Sequence, residues 1–214
     1  MSEERGHEHR PSGSAPGGSG GERRRMWDER YAATGRVWSA EPNAEVERII
    51  GDWEPGRALD LGAGEGRHAV WLAAKRWRVT AVDFSAVGLA KGEKESAARG
   101  LRVDWVVADV RSWQPPASTA YDLVLVAYLH LPEDVLTRAT AWLAPGGALV
   151  VVGHALRNLS EGVGGPQDPA LLQTVEGLRE VASELDIERC EEIVRHTDAG
   201  DAIDVVLVAR RPTS

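Results

Sequence analysis

From Met26 onward the apolar positions fall into short runs separated by polar, glycine-bearing breaks, and the period of the runs alternates. Arg57–Leu61, Arg78–Asp83, Val103–Val107, Tyr121–Ala127 and residues 148–153 are brief apolar runs of strand length, the last four bearing Val. Longer amphipathic stretches separate them: one through Ala74, one over residues 85–99 with Ser85 as its N-cap, and one over residues 132–143. This order predicts a doubly wound α/β fold, a mostly parallel sheet with helices on both faces. Ahead of the first strand, residues 27–33 and Ala44–Ile50 predict two short helices. Gly35, Pro42 and Asn43 form the turn region between them.

The rhythm changes near the end. After a helix expected over residues 175–185, residues 187–197 and 202–209 both read as strands, with only 198–201 between them. Four residues cannot carry a parallel crossover, so this pair must be an antiparallel hairpin. The expected sheet therefore has seven strands, mostly parallel, closed by a C-terminal antiparallel hairpin. Residues 26–214 form the expected single domain. Residues 1–25 carry almost no apolar side chains and are expected to be a disordered tail, in which His7, His9 and Arg23 to Arg25 are solvated rather than functional.

Bulk composition narrows the function classes. A chain of 214 residues with 43% hydrophobic and 27% charged residues suits one soluble domain with a sizeable core. The formal net charge is -8 with no basic stripe, so no nucleic-acid partner is expected. No apolar run is long enough to cross a bilayer, the start lacks a signal-peptide core, and there is one cysteine, Cys190. These features lead to a cytoplasmic expectation without a membrane partner. Among eight tryptophans, Trp71, Trp105 and Trp142 sit in apolar segments and belong to the core. Trp27 and Trp38 lie outside such segments and, with Tyr31, are candidates for lining a substrate pocket.

Candidate chemistry centres on Asp60-Leu61-Gly62-Ala63-Gly64-Glu65-Gly66, between the first strand and the next helix. Glycines at 62, 64 and 66 permit a tight turn and close ligand approach, and the helix start offers free N–H groups to an anion. A dinucleotide fingerprint, G-x-G-x-x-G, would place its third glycine at 67, where Arg67 stands. The observed G-x-G-x-G fits a sulfonium nucleoside site better. Asp83, closing the second strand ahead of Phe84, stands where a carboxylate can accept both hydroxyls of a ribose. Asp109 and Val110, after the third strand, are placed to meet an adenine edge. Arg67 and His68 stand where a carboxylate could be met, and Ala127 ends the fourth strand.

Together, residues 59–67, the acidic end of the second strand, Ala108-Asp109, and Leu143-Ala144-Pro145-Gly146-Gly147 resemble the class I S-adenosylmethionine-dependent methyltransferases. The resemblance runs in order from Met26 to the C-terminus and implies S-adenosylmethionine as cofactor. Gly66-Arg67-His68 and Trp27-Asp28-Glu29-Arg30-Tyr31 are similar, more loosely, to small bacterial tellurite-resistance and thiopurine methyltransferases. That similarity implies a small-molecule acceptor with a sulfur, selenium or tellurium, oxygen or nitrogen nucleophile. Where that loop often carries Cys, this chain has Ala63.

Methyl transfer from a sulfonium asks chiefly for alignment and exclusion of water. If a base is needed, His130, just past the fourth strand, is the first candidate and His154, just past the fifth, the second, each with a packed-histidine alternative. Tyr128 is a candidate pocket residue, and residues 158–169 form a Gly- and Pro-rich loop that could act as a lid. No His, Cys, Asp and Glu spacing suggests a metal site. Two alternatives stand beside this reading: a nucleotide-dependent oxidoreductase, and a cofactor-binding module without turnover. The acceptor and the oligomeric state stay open.

Overall fold

The computed structural model describes residues 20–213. In chain order the elements are α1 (Gly20–Ala32), α2 (Ala44–Ile50), β1 (Arg57–Leu61), α3 (Arg67–Ala74), β2 (Arg78–Asp83), α4 (Ala86–Ala98), β3 (Val103–Val107) and β4 (Tyr121–Ala127). They continue with α5 (Glu133–Thr140), β5 (Leu143–His154), α6 (Asn158–Glu161), a 3-10 turn at Pro169–Leu171, α7 (Val175–Val181), β6 (Asp186–Thr197) and β7 (Gly200–Arg210).

The strands form one seven-stranded sheet in the order β3-β2-β1-β4-β5-β7-β6. Neighbours from β3 to β5 are parallel, and β7 runs antiparallel to both β5 and β6. The reversed strand of the C-terminal hairpin thus lies inside the sheet, and β6 forms the edge. A chain coming out of β6 turns tightly and returns between β6 and the free edge of β5, pairing with both.

Strand periodicity distributes the core over two faces. Val124 and Val126 of β4 join Leu149 and Val151 of β5 beneath Leu136 of α5 and Leu178 of α7. The intervening Leu123 and Leu125, with Val150 and Val152, face Ile50, Leu72 and Leu89 of α2, α3 and α4. Both faces are therefore dry, which matches the unbroken apolar runs of the central strands.

The bounds of β1 to β4 coincide with the sequence expectation. β5 starts earlier, at Leu143, because Leu143 pairs with Tyr121 and Gly147 lets the strand run flush against it: a Cβ there would stand 2.6 Å from the Tyr121 carbonyl oxygen. Pro145 could not have continued α5. α1 begins at Gly20, so the expectation of a disordered tail is corrected for residues 20–25. Glu22 and Arg23 to Arg25 are good helix formers, Arg24 pairs with Asp28 one turn on at 3.6 Å, and the Asp28 carboxylate receives the Ser85 hydroxyl of the facing segment. His7 and His9 lie outside the described residues.

Candidate active site

The glycine loop leaves β1 at the carboxyl edge of the sheet and turns under β2. Gly62 and Ala63 both donate their N–H groups to the Val82 carbonyl, at 2.8 and 3.1 Å, and Gly66 N–H closes back on the Ala63 carbonyl at 2.8 Å. Gly62, Gly64 and Gly66 have φ of 73°, 56° and 75°, the left-handed region where other residues are strained. Space forbids a side chain as well: at Gly66 a Cβ would lie 2.4 Å from the Trp105 ring.

Two buried carboxylates flank this loop. Asp60 is 1% exposed and its Oδ2 has no hydrogen-bond partner. Burial pushes its carboxyl up to about 7, the Asp83 charge adds to this, and the Arg67 charge and the Ala69 N–H act the other way. Asp83 accepts Gly64 N–H on Oδ2 at 2.9 Å and Ser85 N–H on Oδ1 at 2.8 Å, so it fixes the loop and the entry to α4 together. Burial raises its carboxyl, and those two N–H bonds offset part of the rise. Each carboxylate oxygen keeps a second lone pair for a ligand hydroxyl. Ser85 accepts Gly88 N–H at 3.0 Å, the N-cap expected from sequence.

Beyond Asp83 lies a cleft of about 240 Å³, walled by Gly20, Gly21 and Arg24 of α1 on one side and by Phe84, Ala108 and Asp109 on the other. Asp109 also accepts Arg111 N–H at 2.9 Å, and the Val110 side chain is buried in the core, leaving its neighbours at the cleft. Phe84 and Asp109, two of the cofactor residues expected after β2 and β3, thus line one cleft. An orphaned buried carboxylate oxygen, a glycine cradle and an adjoining cleft of this size fit a nucleoside carrying an amino-acid tail.

A cap lies over the loop. Tyr31 is 5% exposed and would touch a Cβ at Gly64 with its hydroxyl at 2.7 Å. Burial first, and then the Asp83 charge, push its hydroxyl well above the usual tyrosine range. The Trp27 ring sits 5.4 Å from Tyr31, the Arg30 guanidinium lies over both Trp27 and Trp38, and Arg67 lies 6.0 Å from the Trp38 ring. Trp27, Tyr31 and Trp38 are therefore gathered at the loop. His68 is placed elsewhere than the loop mouth: its Nε2 accepts Asn43 N–H at 3.2 Å under α2. Burial, helped by the Arg67 charge, pushes it down to about 3 and keeps it neutral.

The second polar cluster occupies the ends of β4, β5 and β7. Tyr128 has φ of 54°, a conformation bulky residues avoid, and its hydroxyl donates to Asp204 Oδ2 at 2.6 Å. Arg195 Nε donates to the same oxygen at 2.7 Å, and Asn43 Nδ2 donates to the Tyr128 hydroxyl at 3.2 Å. His154 Nδ1 lies 3.2 Å from Asp204 Oδ1, close enough for an ion pair though not in line for a straight hydrogen bond. The His130 ring stacks on His154 with centroids 5.9 Å apart and planes 12° from parallel. Burial, with the neighbouring His154, pushes His130 down to about 4, and its Nε2 has no partner.

Residues 158–169 approach this cluster: a Cβ at Gly165 would stand 3.1 Å from the His154 ring. Asn158, in α6, ties the loop down by accepting Ile203 N–H at 2.7 Å and donating to the Gly164 carbonyl at 2.9 Å. Sequence reading passed over Asp204, Arg195, Gln173 and Glu65. Asp204 had a signal, a lone acid inside the apolar run of residues 202–209. Gln173, whose buried amide atoms have no partner, had none.

Comparison with known proteins agrees with this geometry. A family model described as a methyltransferase domain matches residues 58–147. Trans-aconitate 2-methyltransferase of Streptomyces avermitilis is 39% identical over 105 residues, 45% of this chain and 38% of that protein. Release factor glutamine methyltransferase of Bordetella pertussis is 34% identical over 147 residues, 63% of this chain and 53% of that protein. The chain thus spans about half or less of the length of these curated relatives. The solved structure of N-methyltransferase NodS from Bradyrhizobium japonicum in complex with S-adenosyl-L-homocysteine superposes with a TM-score of 0.67 at 18% identity, covering 87% of this chain and 97% of that one. Residues 58–147 thus match a methyltransferase domain, and the sheet that carries them has the fold of the superposed methyltransferase.

Proposed function

We propose that this protein transfers a methyl group from S-adenosylmethionine to a small-molecule acceptor. The observation that carries the reading is the pair of buried carboxylates, Asp60 and Asp83, on either side of a loop whose three glycines leave room for a ligand. Bound there, S-adenosylmethionine would supply the activated methyl on its sulfonium. Asp83 would accept the ribose hydroxyls, and Asp60, with its free Oδ2, the ammonium of the amino-acid tail. Arg67, which lies beside Asp60 and Trp38 without an ion-pair partner among the described residues, would meet the carboxylate. Phe84, Asp109 and the Val110 N–H would hold the base, with Gly62, Ala63, Gly64, Gly66 and Ala127 shaping the walls.

The acceptor would occupy the polar cluster of Tyr128, His130 and His154, with Trp27, Tyr31 and Trp38 excluding water from the cofactor side. A small molecule is favoured because α1 and residues 158–169 wall the site, and because a net charge of -8 repels a phosphate backbone. The relatives' names span trans-aconitate, release factor and ribosomal RNA methyltransferases, so the acceptor class must be tested directly. A cytoplasmic site of action fits a chain with one cysteine, buried and unpaired. No described helix is long and apolar enough to cross a membrane.

The test is transfer of labelled methyl to a panel of thiols, phenols, amines and chalcogen oxyanions. Label in a small product supports the reading. Label in ribosomal RNA or a protein substrate alone overturns the acceptor class, and binding without transfer to any partner favours a module without turnover.

A further inference from the structure

Arg30, in the last turn of α1, lies over two rings of the cap, 5.0 Å from the centre of Trp27 and 5.4 Å from that of Trp38. A guanidinium over a ring keeps its N–H edge for an anion with coplanar oxygens. Among the described residues no carboxylate or carbonyl oxygen takes that edge. Arg67 lies 6.0 Å from the same Trp38 ring and reaches on toward Asp60 and Tyr128. Trp38 is 37% exposed, so two guanidiniums meet on one ring at the mouth of the site. The arrangement is fixed: Lys91 holds the Tyr31 carbonyl beside Arg30 at 2.6 Å, and Glu65 holds the Trp38 N–H at 3.1 Å.

The acids around this mouth are committed elsewhere. Asp28 receives the Ser85 hydroxyl and pairs with Arg24. Glu65 takes Lys91, Asp83 takes the Gly64 and Ser85 N–H groups, and Asp204 takes Arg195 and the Tyr128 hydroxyl. With S-adenosylmethionine placed as proposed above, Asp60 would meet its ammonium and Arg67 its carboxylate. The sulfonium and Arg30 are then two positive charges without a counter-charge, in a chain whose formal net charge is -8. A cationic acceptor would add a third charge of that sign, and a neutral one would leave both unbalanced. An acid offsets them.

We infer that the acceptor is an organic acid and that Arg30 holds its carboxylate beside Trp38, away from the atom that is methylated. This rests on the methyltransferase reading above and narrows it. One guanidinium edge matches the two oxygens of a carboxylate, and the exposed part of the Trp38 ring offers an apolar surface to the carbon next to it. The carboxylate is a handle: it keeps its charge through the transfer, and the product is still an acid. Arg30 thus selects the acceptor, while Arg67 serves the cofactor.

The test begins with labelled methyl transfer from S-adenosylmethionine to a deproteinised cell extract, the product being passed over an anion exchanger. The expected product is retained at pH 7 and released at about pH 2, where a carboxylate takes up its proton. Product that passes through at pH 7 is neutral or cationic and overturns the inference. Product retained at both values carries a phosphate or sulfate and overturns the carboxylate. With the isolated acceptor, Arg30→Gln should raise KM at least about tenfold, with kcat within about threefold and S-adenosylhomocysteine affinity unchanged. Arg30→Lys should recover part of the loss, and Arg67→Gln should instead weaken S-adenosylhomocysteine. A KM that ignores Arg30→Gln, or a cofactor affinity that falls with it, removes Arg30 from the acceptor. Failure of the wild-type chain to bind S-adenosylhomocysteine, or to label anything, overturns this inference together with the reading beneath it.

Discussion

Inside the glycine loop, the Glu65 carboxylate receives the Lys91 ammonium at 2.9 Å, with 1% of the Glu65 side chain exposed. Its other oxygen accepts the N–H groups of Val37 and Trp38, at 2.9 and 3.1 Å. Lys91 in turn donates to the Tyr31 and Thr34 carbonyls, at 2.6 and 2.8 Å. One loop acid therefore fastens the Tyr31–Trp38 cap onto the turn that it covers.

Glu65→Ala leaves Lys91, the buried Val37 N–H and the part-buried Trp38 N–H short of their acceptor. The expected cost is about 3 kcal/mol, the scale for breaking a buried pair by removing one partner, read from urea denaturation. S-adenosylhomocysteine affinity should fall with it, because the cap loses its anchor. A variant as stable as wild type would show that the cap is held by other contacts.

Gly66→Ala places a side chain at φ of 75° against the Trp105 ring and 3.2 Å from the Gly92 Cα. Strain of about 1–2 kcal/mol is expected from the backbone alone, with a clash in addition. Thermal unfolding should show a lowered Tm. An unchanged Tm would mean that Trp105 moves aside freely.

Asp60 makes stability depend on pH in a stated direction. Its folded value of about 7 lies above the roughly 3.9 of an unfolded aspartate, so between these values the folded state binds more protons. Stability then falls as pH rises from about 4 to about 7, and the deficit persists above that. Asp60→Asn abolishes this contribution, and its advantage over wild type should grow by up to about 4 kcal/mol across that window. Chemical denaturation at pH 4, 5.5, 7 and 8 checks it, and a constant difference would contradict it.

Much of this was legible in the chain because the relevant signals are local. β1 to β4 lie where short apolar runs stand, the first three of them leading into Gly62, Asp83 and Asp109, and the three loop glycines, Asp83 and the Ser85 cap follow from spacing. What escaped depends on partners far away in sequence. Glu65 is an unmarked loop acid until residues 34–38 fold over it, and Asp204 meets His154 only once β7 has inserted beside β5. His68 was legible as a site residue by position, but the approach of Asn43 beneath α2 commits its ring. The start of α1 was misjudged because a charged run with few apolar residues resembles a tail, and its docking on α4 is a tertiary contact.

Asp83→Ala removes the acceptor of Gly64 and Ser85 N–H groups along with the proposed ribose ligand. Two lost hydrogen bonds to a charged group, at about 1.5–3 kcal/mol each, set the scale, and calorimetry should show S-adenosylhomocysteine affinity reduced by at least about 100-fold. Asp83→Asn keeps an acceptor for one N–H and should fall between. Unchanged affinity in both would remove Asp83 from the ribose site.

The central claim is that this loop holds a sulfonium nucleoside and not a dinucleotide. Isothermal calorimetry of the wild-type chain with S-adenosylmethionine, S-adenosylhomocysteine and NAD tests it most directly. Saturable binding of both sulfur nucleosides with none of NAD is the predicted result; binding of NAD with neither sulfur nucleoside would contradict it.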